Sequence, residues 1–146
     1  MGTHNGEAIW HGGLKEGKGN ISTESGALNA AYSFGSRFED DKSGTNPEEL
    51  IGGALAGCFS MFLSMLLEKN GHTPKHVKTE AKVALGKDET GPLITSIKLI
   101  TQANAENIEE TEFQKLVQEA KENCPVSRAL RSIPDISVTA TLSGDE

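Results

Sequence analysis

Cys58 and Cys124, the two cysteines of this 146-residue chain, offer more chemistry than any other residues in it. A thiolate is a nucleophile, an oxidisable centre and half of a disulfide. Two cysteines far apart in sequence, with no C-x-x-C, do not make a zinc site by themselves. Each also fits a plain core position, because a free cysteine behaves as a small hydrophobe. The segment Cys124-Pro125-Val126-Ser127 has the form of a helix start, with the thiol near the cap and proline at the first position. Backbone N–H groups and the positive end of the helix dipole favour a thiolate there, so on electrostatics alone Cys124 is expected to be the reactive thiol. Cys58 sits mid-helix among Leu55, Phe59 and Phe62 and needs a neighbouring cation to ionise.

Other polar residues carry weaker signals. Glu48 and Glu49 fall in a first helical turn, where the dipole favours carboxylates whatever their role. Glu49 suits a capping box, which leaves Glu48 the freer of the two. Arg37 alone fits a surface ion pair. His4, His11, His72 and His76 lack the H-E-x-x-H spacing of a metal site, and Glu16-Gly17-Lys18-Gly19-Asn20 lacks the glycine-lysine-hydroxyl pattern of a phosphate loop. A net charge of −7 argues against nucleic acid as a partner. No basic and apolar leader opens the sequence, so the cytoplasm is the expected compartment, and Asn20-Ile21-Ser22 is then an unused glycosylation match. In such a reducing compartment, a cysteine pair that bonds does so transiently.

The elements that must position these residues follow a mixed plan. With no repeat, linker or shift of composition, one domain over 1–146 is expected. Short strands are expected at Ala8 to Trp10, Asn20 to Glu24, Ala30 to Phe34 and Ser36 to Glu39, with glycine-rich turns between. Thr45-Asn46-Pro47-Glu48-Glu49 opens a long helix, with Asn46 as cap, ending near Asn70 at Gly71. Leu50 to Leu67 holds no charge and reaches the lower bound for a membrane span. Its glycines and serines, and its lack of aromatic belts, favour a helix buried on most sides in a soluble protein. Gly53 and Gly57, one turn apart, leave room for another backbone. Val77, Thr79, Ala81, Val83 and Leu85 alternate as one strand, and Leu93, Thr95, Ile97 and Leu99 share a face of the next. Phe113, Leu116, Val117 and Ala120 have helical spacing behind Thr111-x-x-Gln114, a short helix follows from Cys124, and Ile136, Val138, Ala140 and Leu142 mark a last strand. The fold class is α+β.

Several stretches together resemble one family. They are Gly19-Asn20-Ile21-Ser22-Thr23-Glu24-Ser25-Gly26, Ser36-Arg37-Phe38-Glu39, Gly44 to Gly52 (GTNPEELIG), Ala56-Gly57-Cys58-Phe59-Ser60-Met61 and Asn123-Cys124-Pro125-Val126-Ser127. This pattern is similar to the osmotically inducible peroxidase family OsmC, whose sister group is the organic hydroperoxide resistance proteins, Ohr. The place of Arg37 after a long glycine-rich N-terminal stretch resembles the OsmC subgroup. The resemblance implies an OsmC-like fold with N-terminal hairpins, a buried central helix, a second helical segment and antiparallel sheets, in an intertwined homodimer with active sites at the subunit interface. It implies a peroxidase that reduces organic hydroperoxides in stress defence. Cys58 would be the peroxidatic thiol, Cys124 the resolving thiol, Arg37 the thiolate stabiliser and Glu48 its partner. No cofactor or metal is implied, only an external dithiol, with lipoyl-type dithiols suggested. Arg37 would then be the cation Cys58 needs, and the family assignment overrules the dipole argument for Cys124. Phe59, Met61, Phe62 and Met65 fit either the core or an apolar pocket. A redox sensor and a ligand-binding stress protein with inert cysteines are the competing readings.

Overall fold

A computed structural model describes residues 1–143 of the chain. It falls into two compact units, residues 1–50 and residues 51 onward, each described by itself. The first unit holds three antiparallel strands in sequence order, β1 (Gly6–His11), β2 (Lys18–Thr23) and β3 (Asn29–Tyr32). Gly19 has to be glycine, because a Cβ there would stand 2.4 Å from the Tyr32 ring and 2.6 Å from that of Trp10. The segment expected as a fourth strand is instead a short helix, α1 (Phe34–Phe38). Ser33 and Ser36 close a reciprocal capping box around its first turn, a local device that outweighs the extended preference of the flanking aromatics.

The long helix α2 (Pro47–Lys69) begins as its cap predicts, with Asn46 Oδ1 accepting from the Glu49 N–H at 2.7 Å. The Glu49 carboxylate accepts from the Thr45 hydroxyl, one residue before the cap. Gly71, at a φ of 86°, stops the helix through a bond from His72 N–H to Leu67 O. By length and composition α2 could cross a membrane. Leu55, Phe59, Leu63 and Leu67, however, lie wholly inside the core of the second unit. The helix is not buried on most sides within one chain. Gly53, Gly57, Met61 and Met65 form an exposed line one turn apart, with Met61 78% exposed. Among the described residues, no atom beyond the helix's own neighbouring turns comes within 4 Å of where a Cβ on Gly53 or Gly57 would sit; the close approach is at Gly52, against Val83 and the Ala81 carbonyl of the adjacent strand.

That strand, β4 (His76–Asp88), pairs antiparallel with β5 (Gly91–Asn104). The register slips between Ala84 and Leu85, leaving Thr95 as an extra residue, so Ile94 packs towards the core with Ile97 and Leu99. Leu93 and Thr95 therefore do not share the face of Ile97 and Leu99 as expected, since a bulge reverses the alternation. Gly86 accommodates it: a Cβ there would meet Thr95 Cγ2 at 2.7 Å. Next come α3 (Glu110–Asn123), which buries Phe113, Leu116, Val117 and Ala120 and has Glu109, without a side-chain cap bond, at its N-cap position instead of Thr111, and α4 (Pro125–Ala129). The last strand, β6 (Asp135–Leu142), pairs parallel with β5, which corrects the expectation of wholly antiparallel sheets. The helical crossover through α3 and α4 brings the chain back to start β6 at the same end as β5, and a parallel pair requires such a connection. The α+β class stands.

Candidate active site

In the first unit the structure brings together Arg37 and Glu48. Arg37 Nε donates to Glu48 Oε1 at 3.1 Å and Nη2 to Oε2 at 2.9 Å, a bidentate fork. The Glu48 side chain is 10% exposed and that of Arg37 37%, so the carboxylate is the member that depends on its partner. Local sequence fixes this geometry. Asn46, besides capping α2, donates through Nδ2 to Ser36 O at 2.9 Å, and the Ser36 hydroxyl donates to Thr45 O at 2.7 Å. The two bonds tie α1, which carries Arg37, to the turn that opens α2, which carries Glu48. The guanidinium also stands 5.1 Å from the centre of the Phe38 ring. Beside it is a cavity of about 190 Å³ lined by Trp10, Leu14, Tyr32, Phe34, Phe38 and Arg37. A cation thus borders an aromatic pocket.

In the second unit the structure brings together Cys58 and Cys124, both free thiols. Cys124 closes α3 and caps α4 at once, with no exposed surface, in the same buried cluster as Leu116, Val117 and Ala120. Burial pushes its thiol from the ordinary 9.0 up to about 11, with the nearby Cys58 adding to the rise and the Ser127 and Val126 N–H groups opposing it. This reverses the dipole argument for Cys124. The amides freed at the start of α4 do face sulfur, but Val126 N–H points at Cys58 Sγ, 3.5 Å away. Cys58, partly exposed, thus shares this donor with the buried Cys124. Pro125 occupies the first helical position, where its missing N–H matters least. The Ser127 hydroxyl bonds Lys121 O and locks the α3–α4 corner.

Residue-type reasoning missed Val126, whose contribution is a backbone amide. The helix-start pattern exposed it, yet did not show which sulfur it meets. It gave no role to Ser36 and Phe38, which act through local contacts. Of the apolar candidates, Phe59 is wholly in the core, Phe62 packs partly against it, and Met61 and Met65 stand on the exposed line of α2. His72 is held by Glu106 O and Glu112. Among the described residues no three of His, Cys, Asp and Glu gather as metal ligands.

An accessible thiol with an amide donor, beside a buried second thiol in an α+β fold, defines a two-cysteine thiol redox protein. Residues 39–139 match the family described as OsmC-like protein. The chain belongs to this family. It is 48% identical over 128 residues to Peroxiredoxin OsmC of Escherichia coli (strain K12), covering 87% of this chain and 89% of that protein. It is 30% identical over 122 residues to the organic hydroperoxide resistance protein OhrB of Bacillus subtilis (strain 168), covering 82% and 87%. The crystal structure of the Bacillus subtilis OhrB superposes with a TM-score of 0.70 at 26% identity, over 95% of this chain and 98% of that one. An OsmC-like protein of Vibrio cholerae shares the fold at a TM-score of 0.76 and 16% identity, over 97% and 100%.

Proposed function

We propose that this protein is a thiol-dependent peroxidase of the cytoplasm that reduces organic hydroperoxides to alcohols, with the whole chain acting as one domain. One observation carries the reading: Cys58 is partly exposed and its Sγ faces the Val126 N–H, beside a second cysteine with no exposed surface. The names of its relatives, a peroxiredoxin and an organic hydroperoxide resistance protein, support it.

The Cys58 thiolate attacks the O–O bond, becomes a sulfenic acid and releases the alkoxide, which takes up a proton. The Cys124 sulfur, its proton transferred to the departing oxygen, displaces that oxygen as water and forms the Cys58–Cys124 disulfide. An external dithiol, of lipoyl type on the family resemblance, restores both thiols by exchange. Arg37 stabilises the thiolate and Glu48 aims the guanidinium. Phe34, Trp10 and Tyr32, around the pocket beside Arg37, hold the organic group, which favours alkyl and aryl hydroperoxides over hydrogen peroxide.

The site is shared between two copies of the chain. Glu48 and Cys58 are ten residues apart on α2, so about 15 Å separates them along its axis and about 80° around it. Two antiparallel α2 helices packed along Gly53, Gly57, Met61 and Met65 bring Glu48 and Arg37 of one copy towards Cys58 of the other. The uncovered apolar line on α2 supports this arrangement.

Steady-state consumption of cumene hydroperoxide and hydrogen peroxide, with several dithiols, tests the function. Cys58→Ser is expected to abolish turnover. Cys124→Ser should consume about one equivalent and leave a sulfenic acid on Cys58 that dimedone traps. Oxidation of Cys124 with a full first turnover in Cys58→Ser would reverse the two roles. Slow reaction of both thiols with every hydroperoxide would point to a ligand-binding protein, and oxidation without dithiol turnover to a sensor.

A further inference from the structure

We infer that the external dithiol re-reduces the protein by attacking the Cys58 sulfur of the Cys58–Cys124 disulfide, so that oxidant and reductant use one entrance. This rests on the peroxidase reading above and adds which sulfur is attacked.

Thiol–disulfide exchange proceeds in line: the incoming thiolate approaches one sulfur from the side opposite the sulfur that leaves. Each of the two sulfurs therefore has a single approach. For Cys124 that approach runs through packed protein, because the residue has no exposed surface and lies in the cluster that includes Leu116, Val117 and Ala120 of α3. The burial is complete within one chain. Association with a second copy only removes further surface and cannot open a path. Cys58 retains accessible surface on the flank of α2.

Leaving-group chemistry pulls the other way. A thiol of lower pKa leaves faster, and burial raises that of Cys124 to about 11. Attack on Cys124, expelling Cys58 towards the Val126 amide, would be the better electronic choice. Access decides, because no rate advantage operates on a sulfur the reagent cannot reach. The structure also eases the less favoured departure: the Ser127 N–H, one position past Val126 in α4, interacts with the Cys124 sulfur and can hold it as it leaves.

The step balances. The first sulfur of the dithiol bonds to Cys58 Sγ, and the S–S electron pair goes to Cys124 Sγ, which takes up a proton. The second thiol of the reductant, giving up its proton, attacks its own partner sulfur in this mixed disulfide. That releases the Cys58 thiolate and an oxidised cyclic disulfide, with two electrons passed to the protein.

Mapping the mixed disulfide tests the inference. The purified protein is oxidised with one equivalent of cumene hydroperoxide and loss of both thiols is confirmed by mass. It is then pulsed briefly with 2-mercaptoethanol, quenched in acid, blocked with N-ethylmaleimide and digested. At least a tenfold excess of mercaptoethanol adduct on Cys58, with maleimide on Cys124, is the expected result. An adduct on Cys124, or an even split, would overturn it by showing that the α3–α4 corner opens in the oxidised protein. If cumene hydroperoxide yields no disulfide while diamide does, the peroxidase reading fails, and the same mapping on the diamide-oxidised protein still decides which sulfur is attacked.

Discussion

Arg37 grips both oxygens of Glu48, and the consequence of cutting that grip can be estimated. Breaking a buried ion pair from one side costs about 3–5 kcal/mol. With Arg37 more than a third exposed, water replaces part of the lost partner and about 1–2 kcal/mol is expected for Arg37→Ala. Arg37→Lys should recover most of this stability but little peroxidase rate, because an ammonium cannot reproduce the fork. Urea melts and single-turnover kinetics of the two variants separate these effects; equal rates in Arg37→Lys and the parent would remove the proposed role. Cys124 gives a pH signature. Its folded-state pKa lies above its ordinary value, so its neutral form contributes stability that is fully present below about pH 9 and lost as the pH rises towards 11. The reduced protein should therefore lose stability over that interval, and Cys124→Ala should flatten the loss. Both cysteines were legible as residue types, whereas the pairing of Arg37 with Glu48 came only through the family resemblance. The direction of the Cys124 shift was not legible, because a helix-start pattern reveals the dipole but not the desolvation that outweighs it.

At the scale of the element, α2 is keyed to its sheet by a run of hydroxyls with a fixed sense. Thr101 donates to Lys78 O, Thr79 donates to Thr101, and Ser60 donates to Thr79. Ser60→Ala removes the first donor and orphans nothing downstream, so a cost of about 1 kcal/mol is expected. Thr101→Val leaves the Thr79 proton and the Lys78 carbonyl short of partners in a buried place, and should cost about 2–3 kcal/mol. Chemical denaturation of the two variants checks that order. The aromatic pocket supplies a functional counterpart: Phe34→Ala should raise KM for cumene hydroperoxide severalfold while leaving that for hydrogen peroxide unchanged. The cap of α2, the helical spacing of the apolar residues of α3 and the alternation in β4 and β6 made these elements readable. The bulge at Thr95 was not, since the residue that makes room for it, Gly86, lies across the hairpin. Nor was α1, whose serine capping box sits among residues that otherwise favour strands.

The exposed line of Gly53, Gly57, Met61 and Met65 belongs to the whole molecule. A charge in its middle, as in Met61→Glu, leaves the core untouched and should convert the proposed dimer to monomer in sedimentation, with loss of activity. Mixing Cys58→Ser with Arg37→Ala tests the shared site. A trans arrangement restores one competent site per heterodimer, and no recovered activity in heterodimers verified by native mass spectrometry would refute it. The sequence pointed to this face through its paired glycines. The parallel pairing of β5 with β6 stayed hidden, because alternation shows that a strand has a buried face but not the direction in which it joins a sheet.

Val126 is made sixty-eight residues after Cys58, and this spacing matters while the chain is still on the ribosome. At about 5–20 residues per second, Cys58 exists for roughly 3–14 s before the peptide that carries both its amide donor and its proposed resolving thiol is synthesised. A peroxidatic cysteine activated during that interval would be oxidised with nothing to rescue it and would climb to irreversible acids. On the peroxidase reading, one tripeptide, Cys124 to Val126, supplies both an amide donor for Cys58 and the rescuing sulfur, which limits the mismatch. Until that tripeptide docks, Cys58 lacks this donor; once it docks, the rescuing sulfur is in place. Nascent chains are accordingly expected to resist oxidation at Cys58 until folding is complete.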